Sequence, residues 1–303
     1  MKTSTSKRLR WNVAIWLAAG LFMTSTAGMA AGPIMPDPKA EARHQPQIEE
    51  TANGIPLVNI TAPSSGGVSR NEYETFNVPD KGAILNNSYT LSKTELAGYV
   101  QGNNNMAERP AKIIVNEVTG AGSTSMDGFL EVAGNRADVV IANPNGITVN
   151  GGGFINTGKA FLTTGKPVYD GEDHLQRFDI TGGDILIEGK GLGGKETESL
   201  AILSRAVKIN AGIWAKDLHI TTGANTVDAK TLEASAIEGK GGHPAFALDT
   251  AAIGGMYAGR ITLVGTEKGL GVNNSGTWSA EDNLTLDWNG DLKNSGTIYS
   301  KGN

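Results

Sequence analysis

Few residues in this chain have the types and spacing that chemistry requires, and the strongest candidate is a glycine-rich loop. Residues 189–195 read GKGLGGK, follow an apolar strand and match the spacing of a phosphate-binding loop. Such a loop needs Ser or Thr directly after its lysine to bind magnesium. Glu196 stands there instead and would place a negative charge beside the phosphates. We therefore predict a surface turn and not a nucleotide site.

The other candidate ligands and nucleophiles are isolated. Residues 170–173 hold three carboxylates on one loop but lack the alternating oxygen ligands of a calcium loop. The serines have no partner base in a recognisable nucleophile motif. The histidines lie far apart and share no ligand spacing, at His44, His174, His219 and His243. The sequence therefore predicts no enzyme, no cofactor and no metal site.

The first thirty residues have the layout of a secretory signal peptide. Four basic residues precede an apolar run over residues 13–23, and small residues follow up to Ala30. The run is too short for a transmembrane helix, which needs about 20 residues. We predict export through the Sec machinery and cleavage after Ala30. Removal of residues 1–30 leaves 22 basic and 31 acidic residues, a balance that argues against nucleic-acid binding.

The rest of the chain is predicted to consist of short strands. Glycine makes up 41 of 303 residues, about twice its usual share of roughly 7%. Short apolar runs end at Gly or Asn, as at residues 112–115 and 184–187. The tetrapeptide NSGT at residues 274–277 recurs at residues 294–297. A period near twenty with Gly and Asn turns predicts an all-β fold, a parallel β-helix, with a β-sandwich as the alternative.

Looser repeats and prolines suggest how the coils are arranged. Hydrophobic-threonine pairs begin at Ile180, Ile220, Ile261 and Leu284, and we interpret their spacings as two, two and one coils. About eleven coils are then expected in the whole rod. Residues 31–56 hold five prolines and are predicted to be an extended, solvent-facing leader. The exposed edge of the first coil needs a cap, and we assign this N-terminal β cap to residues 72–99.

The most informative stretch is the pentapeptide Asn143-Pro144-Asn145-Gly146-Ile147, with apolar residues on both sides. Proline fixes one backbone angle, and Asn-Gly tolerates the left-handed conformation that a sharp reversal needs. The pentapeptide therefore predicts a tight turn between two strands.

In an exported chain with glycine-rich repeats, this pentapeptide resembles the secretion domain of two-partner-secretion exoproteins, the filamentous haemagglutinin and contact-dependent-inhibition family. The likeness covers roughly residues 45–300 and is most specific over residues 112–164. It implies a right-handed parallel β-helix, with the secretion (haemagglutination activity) domain over residues 57–270. The first haemagglutinin-type repeats would follow over residues 271–303.

The resemblance also implies recognition residues. The family's first motif maps without change onto Asn143, Pro144, Asn145, Gly146 and Ile147. Its second motif, Asn-Pro-Asn-Leu, maps with two substitutions onto Asn103, Asn104, Asn105 and Met106.

The implied partner is an outer-membrane transporter, a β-barrel with periplasmic POTRA domains. The chain would pass through the periplasm to the surface of a Gram-negative bacterium or the medium, where it could meet a host or neighbouring cell. Two alternatives of other classes stay open on the same fold: a polysaccharide lyase or hydrolase, and a free-standing adhesin that binds glycans.

Overall fold

Parallel strands wound into a β-helix make up most of the computed structural model, which describes residues 32–107 and 109–302. Each coil adds one short strand to each of three faces. For example, β10 (Phe129–Gly134), β11 (Ala137–Ala142) and β12 (Ile147–Val149) form one coil, and each pairs in parallel with a strand of the next. The prediction of an all-β parallel coil is confirmed, and this stacking excludes the β-sandwich.

The three faces run the length of the described chain. Besides β10, the first face stacks β3 (Pro56–Asn59), β5 (Ala83–Asn87), β13 (Gly152–Ile155), β18 (Leu192–Gly194), the first halves of β21 (Gly212–Thr222) and β25 (Gly255–Gly265), β27 (Thr277–Ala280) and β30 (Thr297–Ser300). Besides β11, the second stacks β4 (Val68–Phe76), β8 (Ile113–Val118), β14 (Thr157–Thr163), β19 (Ser199–Ser204), the second halves of β21 and β25, and β28 (Leu284–Trp288). Besides β12, the third stacks β9 (Thr124–Met126), β17 (Asp184–Ile187), β20 (Ala206–Ile209), β24 (Phe246–Thr250), β26 (Gly271–Asn274) and β29 (Leu292–Asn294).

Apolar side chains fill the interior of the coils in columns. On the first face, the ladder partners Leu192, Ile213, Met256 and Trp278 are all buried. Fully burying a Leu or Ile side chain contributes about 1.5–3 kcal/mol. A single coil leaves such side chains uncovered, so each coil is stabilised by its neighbours.

The N-terminal segment closes the first coil, so the prediction of a solvent-facing leader is wrong here. β1 (Ile34–Pro36) pairs antiparallel with β4, and β2 (Gln47–Glu50) pairs antiparallel with β3. A short 3₁₀ helix (Ala42–His44) lies between them, and Ile34 is buried. Prolines are compatible with these positions because edge strands leave some N–H groups unpaired.

The predicted position of the cap, residues 72–99, is also wrong. β4 and β5 within it are ladder strands of the coils, in parallel with β8 and β10. Only the last part leaves the coil, where β6 (Ser92–Thr94) and β7 (Gly98–Val100) form an antiparallel hairpin. The hairpin covers the outside of the first face at its first rungs, with Leu96 packed near Ile84. The cap is therefore β1 and β2.

A second antiparallel sheet lies outside the second face. It consists of β15 (Lys166–Tyr169), β16 (Leu175–Ile180), β22 (Asn225–Asp228) and β23 (Ala234–Ala236). Phe178 and Val227 of this outer sheet pack with Val140, Phe161 and Ala201 of the coils in a second core. The side chains that the coil turns outward are thus buried beneath it.

The outer sheet explains why the coil count was overestimated. Ile180 belongs to the outer sheet, and the 41 residues from Ile220 to Ile261 span one coil with an inserted hairpin instead of two coils. The spacing of 23 from Ile261 to Leu284 is one coil, as interpreted. The first face has nine rungs in the described chain, against about eleven coils expected.

Among the residues that the structure describes, no helix is long and apolar enough to cross a membrane, and no three His, Asp or Glu side chains gather as metal ligands. The predicted signal peptide lies outside the described residues. The coils continue without a break past residue 270, so the predicted boundary there stays a prediction.

Candidate recognition site

The Asn143 turn forms the corner between the second and third faces. β11 ends at Ala142 and β12 begins at Ile147. The Gly146 N–H donates to the Asn143 carbonyl at 3.1 Å, which closes a β-turn. Gly146 has φ of 108°, a conformation that a side chain rarely adopts. The predicted turn and its strands are confirmed.

The Asn143 side chain is fully buried and all of its hydrogen-bonding capacity is engaged. Its Nδ2 donates to the Gly122 carbonyl at 2.9 Å and to Thr124 Oγ1 at 3.0 Å. Both partners belong to the preceding coil, at the start of β9. Its Oδ1 accepts from the Asn145 backbone N–H at 2.9 Å, the local bond that asparagine makes in turns. Asn143 therefore joins this turn to residues about twenty positions earlier in the chain.

The other motif residues divide between surface and core. Pro144 and Asn145 are exposed, although Asn145 Nδ2 donates to the Gly120 carbonyl at 2.8 Å. Ile147 is buried and stacks between Thr124 and Ile185 on the third face. In the folded chain, a partner can therefore reach the turn only through Pro144 and Asn145.

The second motif has the same construction at a different corner. Asn103 is buried, and its Nδ2 donates to the carbonyls of Ile60 at 2.8 Å and Asn86 at 2.9 Å. Its Oδ1 accepts from the Asn105 N–H at 3.0 Å, and Asn105 Nδ2 donates to the Ile60 carbonyl at 3.1 Å. This corner follows the first face, so the structure does not bring the two motifs together.

The two positions where this chain departs from the family's second motif differ in burial. A 3₁₀ helix (Asn104–Met106) starts at the exposed Asn104, where proline is not needed to complete any contact of the fold. Met106 is buried in the main core, an apolar position of a kind that leucine can also occupy. The apolar anchor and both structural asparagines are thus retained.

Replacing Met106 by leucine should cost less than about 1.5 kcal/mol of unfolding free energy, because volume is conserved. Replacing it by alanine should cost about 2–5 kcal/mol, because a cavity is left. Urea denaturation of both variants measures the difference. Equal stability of the two would show that the Met106 side chain does not anchor this corner.

A buried charged cluster was not predicted from the sequence. Arg70 Nη2 lies 2.8 Å from Glu72 Oε1 and 3.5 Å from Glu117 Oε2, and His44 Nδ1 lies 3.0 Å from Glu72 Oε1. The Arg70 guanidinium also lies 4.5 Å from the centre of the Tyr169 ring. The cluster ties the cap and the outer sheet to the second face. Arg70 and Glu72 alternate along one strand, but no local pattern pointed to His44 or Tyr169.

Burial raises the pKa of Glu117, although Arg70 opposes the rise. The charged form is therefore disfavoured by folding, and stability is lost as pH rises through the raised pKa. We expect Glu117→Gln to increase the unfolding free energy at pH 7 and to lose that gain as pH falls below the ordinary pKa of the carboxyl. Urea denaturation between pH 7 and that acidic range measures the change in unfolding free energy, with exposed Glu196→Gln as the control. If Glu117→Gln is less stable than the parent chain at pH 7, the pairing with Arg70 stabilises the Glu117 carboxylate by more than its burial costs.

The glycine-rich loop begins at a corner between the third and first faces. β17 ends at Ile187 and β18 begins at Leu192, and Gly189 and Gly191 between them have φ of 56° and 80°. The Lys190 N–H donates to Asn150 Oδ1 of the preceding coil at 3.3 Å. Gly189 and Gly191 are thus accounted for by the turn itself.

The family to which these coils and corners belong is known from related proteins. A family model described as the TPS secretion domain matches residues 33–298. The chain belongs to the TPS secretion domain family. TPS stands for two-partner secretion, and the family's exoproteins are secreted or surface-exposed in Gram-negative bacteria. The resemblance drawn from the Asn143 motif is confirmed.

This TPS secretion domain is similar to a small part of much longer proteins. The toxin CdiA of Yersinia pestis is 43% identical over 297 residues, 90% of this chain and 9% of that protein. The 16S rRNA endonuclease CdiA of Enterobacter cloacae is 48% identical over 229 residues, 75% of this chain and 7% of that protein. The chain thus spans less than a tenth of either relative. The matched region is the non-catalytic secretion domain, and the endonuclease activity named for the second relative is not assigned to it.

A solved structure supports the same fold. The crystal structure of a filamentous hemagglutinin secretion domain has a TM-score of 0.77 to this TPS secretion domain at 31% sequence identity. The similarity covers 89% of this chain and 95% of that one. The predicted β-helix is thereby confirmed by an independent structure.

Proposed function

We propose that the Asn143 turn is read by an outer-membrane partner transporter before its coil closes. The observation that carries the proposal is the burial of Asn143, whose amide is fully engaged in the folded chain. Direct contact with this amide is possible only while the chain is open. After closure, only Pro144 and Asn145 remain accessible at the turn.

Folding then drives the chain outward. Each coil that forms outside adds ladder hydrogen bonds and buries inward Val, Ile and Leu side chains on the coil before it. Asn143 joins its turn to Gly122 and Thr124, which lie only about twenty residues earlier. This coil can therefore close once a segment of about that length has emerged outside. The gain in stability opposes backsliding without a nucleotide or an ion gradient.

The second motif takes part at the same stage in this proposal. Asn103 makes the same kind of bonds as Asn143 and is equally inaccessible once folded. Its corner leads into β8, which lies in the coil before the one that carries the first motif. The transporter would meet the two corners one after the other along an extended segment, pairing with it by strand addition in its periplasmic POTRA domains.

The signal peptide and the fate of the chain complete the proposal. Residues 1–30 direct the chain through the Sec machinery into the periplasm, and the transporter releases it at the cell surface. The similarity to CdiA toxins supports a role in delivering a contact-dependent inhibition exoprotein to a neighbouring cell. The activity of such a whole protein is outside the matched region.

The proposal is tested by expressing the chain with its transporter, with a transporter that lacks the POTRA domains, and with none. We expect the chain in the medium or on the cell surface only in the first case, and in the periplasm in the other two. A periplasmic marker protein controls for leakage. Appearance of the chain outside the cell without a transporter would contradict the proposal.

A further inference from the structure

A column of aromatic residues, glycines and one serine runs along the outside of the first face, and its Phe129, Tyr257 and Tyr299 side chains are exposed. Its successive ladder partners are Phe129, Gly153, Gly193, Trp214, Tyr257, Ser279 and Tyr299, here called the aromatic track. At about 4.8 Å per rung, its six steps span about 29 Å. The β6–β7 hairpin covers this face as far as β10, where the Glu95 and Leu96 N–H groups donate to Glu131. The track therefore begins at the edge of that cover and continues beyond it.

The aromatic rings of the track lie down on the sheet. A Cβ atom placed on Gly153 would lie 2.4 Å from the Phe129 ring, and one placed on Gly212 would lie 2.5 Å from the Trp214 ring. The rings of Trp214 and Tyr257 are 16° from parallel, with centroids 6.2 Å apart. The Phe129 and Trp214 rings therefore lie over glycine backbone, and Phe129, Tyr257 and Tyr299 are 44%, 39% and 49% exposed, so the column forms an apolar platform.

Gly193 is a glycine that the fold itself does not require. Its φ is not positive, and a Cβ atom there would meet only ordinary contacts, the nearest at 3.7 Å. Glycine inside a strand lowers stability relative to a residue with a side chain. Such a glycine often marks a place where a ligand approaches the backbone closely. Gly193 leaves a bare patch on the track between Phe129 and Trp214.

Polar side chains line a cleft beside this patch. The cleft has a volume of about 490 Å³ and is lined by Arg136, Asn156, Glu196, Glu198 and Lys216, among others. Arg136 Nη1 lies 3.2 Å from Glu198 Oε1, and both side chains are about half exposed. Both signs of charge are present, so the cleft does not select a strongly charged ligand. Its residues Ile155 and Glu196 follow the track residues Gly153 and Gly193 by two and three positions, so its donors and acceptors lie next to the track in the chain.

We propose that the aromatic track binds a neutral polysaccharide. A sugar ring has an apolar C–H face that packs on an aromatic face, and hydroxyl groups at its edge that pair with carboxylates, amides and guanidinium groups. The track supplies the aromatic partners for the C–H face, and the cleft supplies the polar partners for the hydroxyl groups. Because the track extends over several rungs, it fits a chain of sugars better than a single sugar. This function is additional to transporter recognition and does not depend on it.

Electrophoresis of the purified chain through gels containing hydroxyethylcellulose, dextran or mannan tests the proposal. We expect at least one polysaccharide to retard the chain. Trp214→Ala should weaken that binding roughly tenfold, the effect of removing an aromatic anchor. Gly193→Leu should weaken it as much by occupying the bare patch, where there is room for a Cβ atom. Titration of the retarding polysaccharide measures both affinities.

Tyr99→Ala is the matched control, because Tyr99 is an aromatic residue 70% exposed on the hairpin and away from the track. Its affinity should be unchanged, and thermal melting of all three variants controls for folding. Migration unaffected by all three polysaccharides would overturn the proposal. So would retardation that survives both Trp214→Ala and Gly193→Leu, or a dimer of the chain that Trp214→Ala abolishes, which would assign the track to a second copy.

Discussion

Asn143→Ala should prevent the chain from reaching the cell exterior while leaving its entry into the periplasm intact. The substitution removes the amide that the transporter is proposed to read, and a loss of 1.4 kcal/mol of binding already means about tenfold weaker recognition. It also removes four hydrogen bonds from the turn, since Asn145 Nδ2 donates to Asn143 Oδ1 as well, at a cost of about 1–3 kcal/mol in folding. Comparing the amounts in periplasm and medium measures the first effect, and urea denaturation measures the second.

Asn87→Ala separates these two effects. Asn87 is also fully buried at a corner, donates to the carbonyls of Ala111 at 2.9 Å and Asn135 at 2.8 Å, and accepts from the Ala111 N–H at 2.7 Å. It belongs to neither motif. We expect the Asn87→Ala variant to lose about as much unfolding free energy as the Asn143→Ala variant, but to be secreted in much larger amounts. Equal loss of secretion in both variants would reduce the role of Asn143 to folding.

The second large effect is expected at Arg205, whose replacement by methionine should lower the unfolding free energy by about 3–5 kcal/mol. Arg205 Nε and Nη2 donate to Glu267 at 3.0 and 2.8 Å, and Nη1 donates to the carbonyls of Lys240 at 2.6 Å and Gly242 at 3.2 Å. Its side chain is only 5% exposed. Methionine would leave the largely buried Glu267 carboxylate without its main partner and free the inserted loop.

The same ion pair predicts a dependence on pH. Hydrogen bonding from Arg205 is the main cause that lowers the pKa of Glu267. A lowered pKa means that the stabilisation is complete above the carboxyl's ordinary pKa and is lost as pH falls through the lowered value. The difference in unfolding free energy between the parent chain and Arg205→Met should therefore become smaller as the pH falls through the lowered pKa of Glu267.

Arg177→Ala is the control for this effect, because Arg177 pairs with Asp179 at 2.8 Å on the surface. Exposed pairs of this kind contribute about 0–1 kcal/mol. A small and similar loss in both arginine variants, or a gap for Arg205→Met that is unchanged in acid, would contradict the structural role given to Arg205.

The repeat of about twenty residues was the part of the fold that the sequence carried most clearly. NSGT at residues 274–277 and 294–297 reflects one coil, and in the structure Asn274 Nδ2 donates to Asn294 Oδ1 at 2.8 Å. The turn at Asn143 could be predicted because Pro, Asn and Gly fix their backbone locally. Its partners at Gly122 and Thr124 could not be, because hydrogen bonds between coils leave no local pattern.

The N-terminal cap could not be placed from the sequence for a similar reason. Pairing of Ile34 with Phe76 joins residues far apart in the chain, and prolines are as compatible with an edge strand as with a leader. The inserted outer sheet also altered the apparent period, since its strands have the same apolar alternation as the coils.

Photo-crosslinking from position 144 during secretion tests the central claim most directly. Pro144 is exposed at the turn, and Asn150 is an exposed control one corner further along the same coil. A photoreactive residue at 144 should crosslink to the POTRA domains of the transporter while the chain is in transit and not after it has folded outside, and one at 150 should crosslink much less. Efficient secretion with no crosslink from 144, or equal crosslinks from both positions, would contradict recognition of the Asn143 turn.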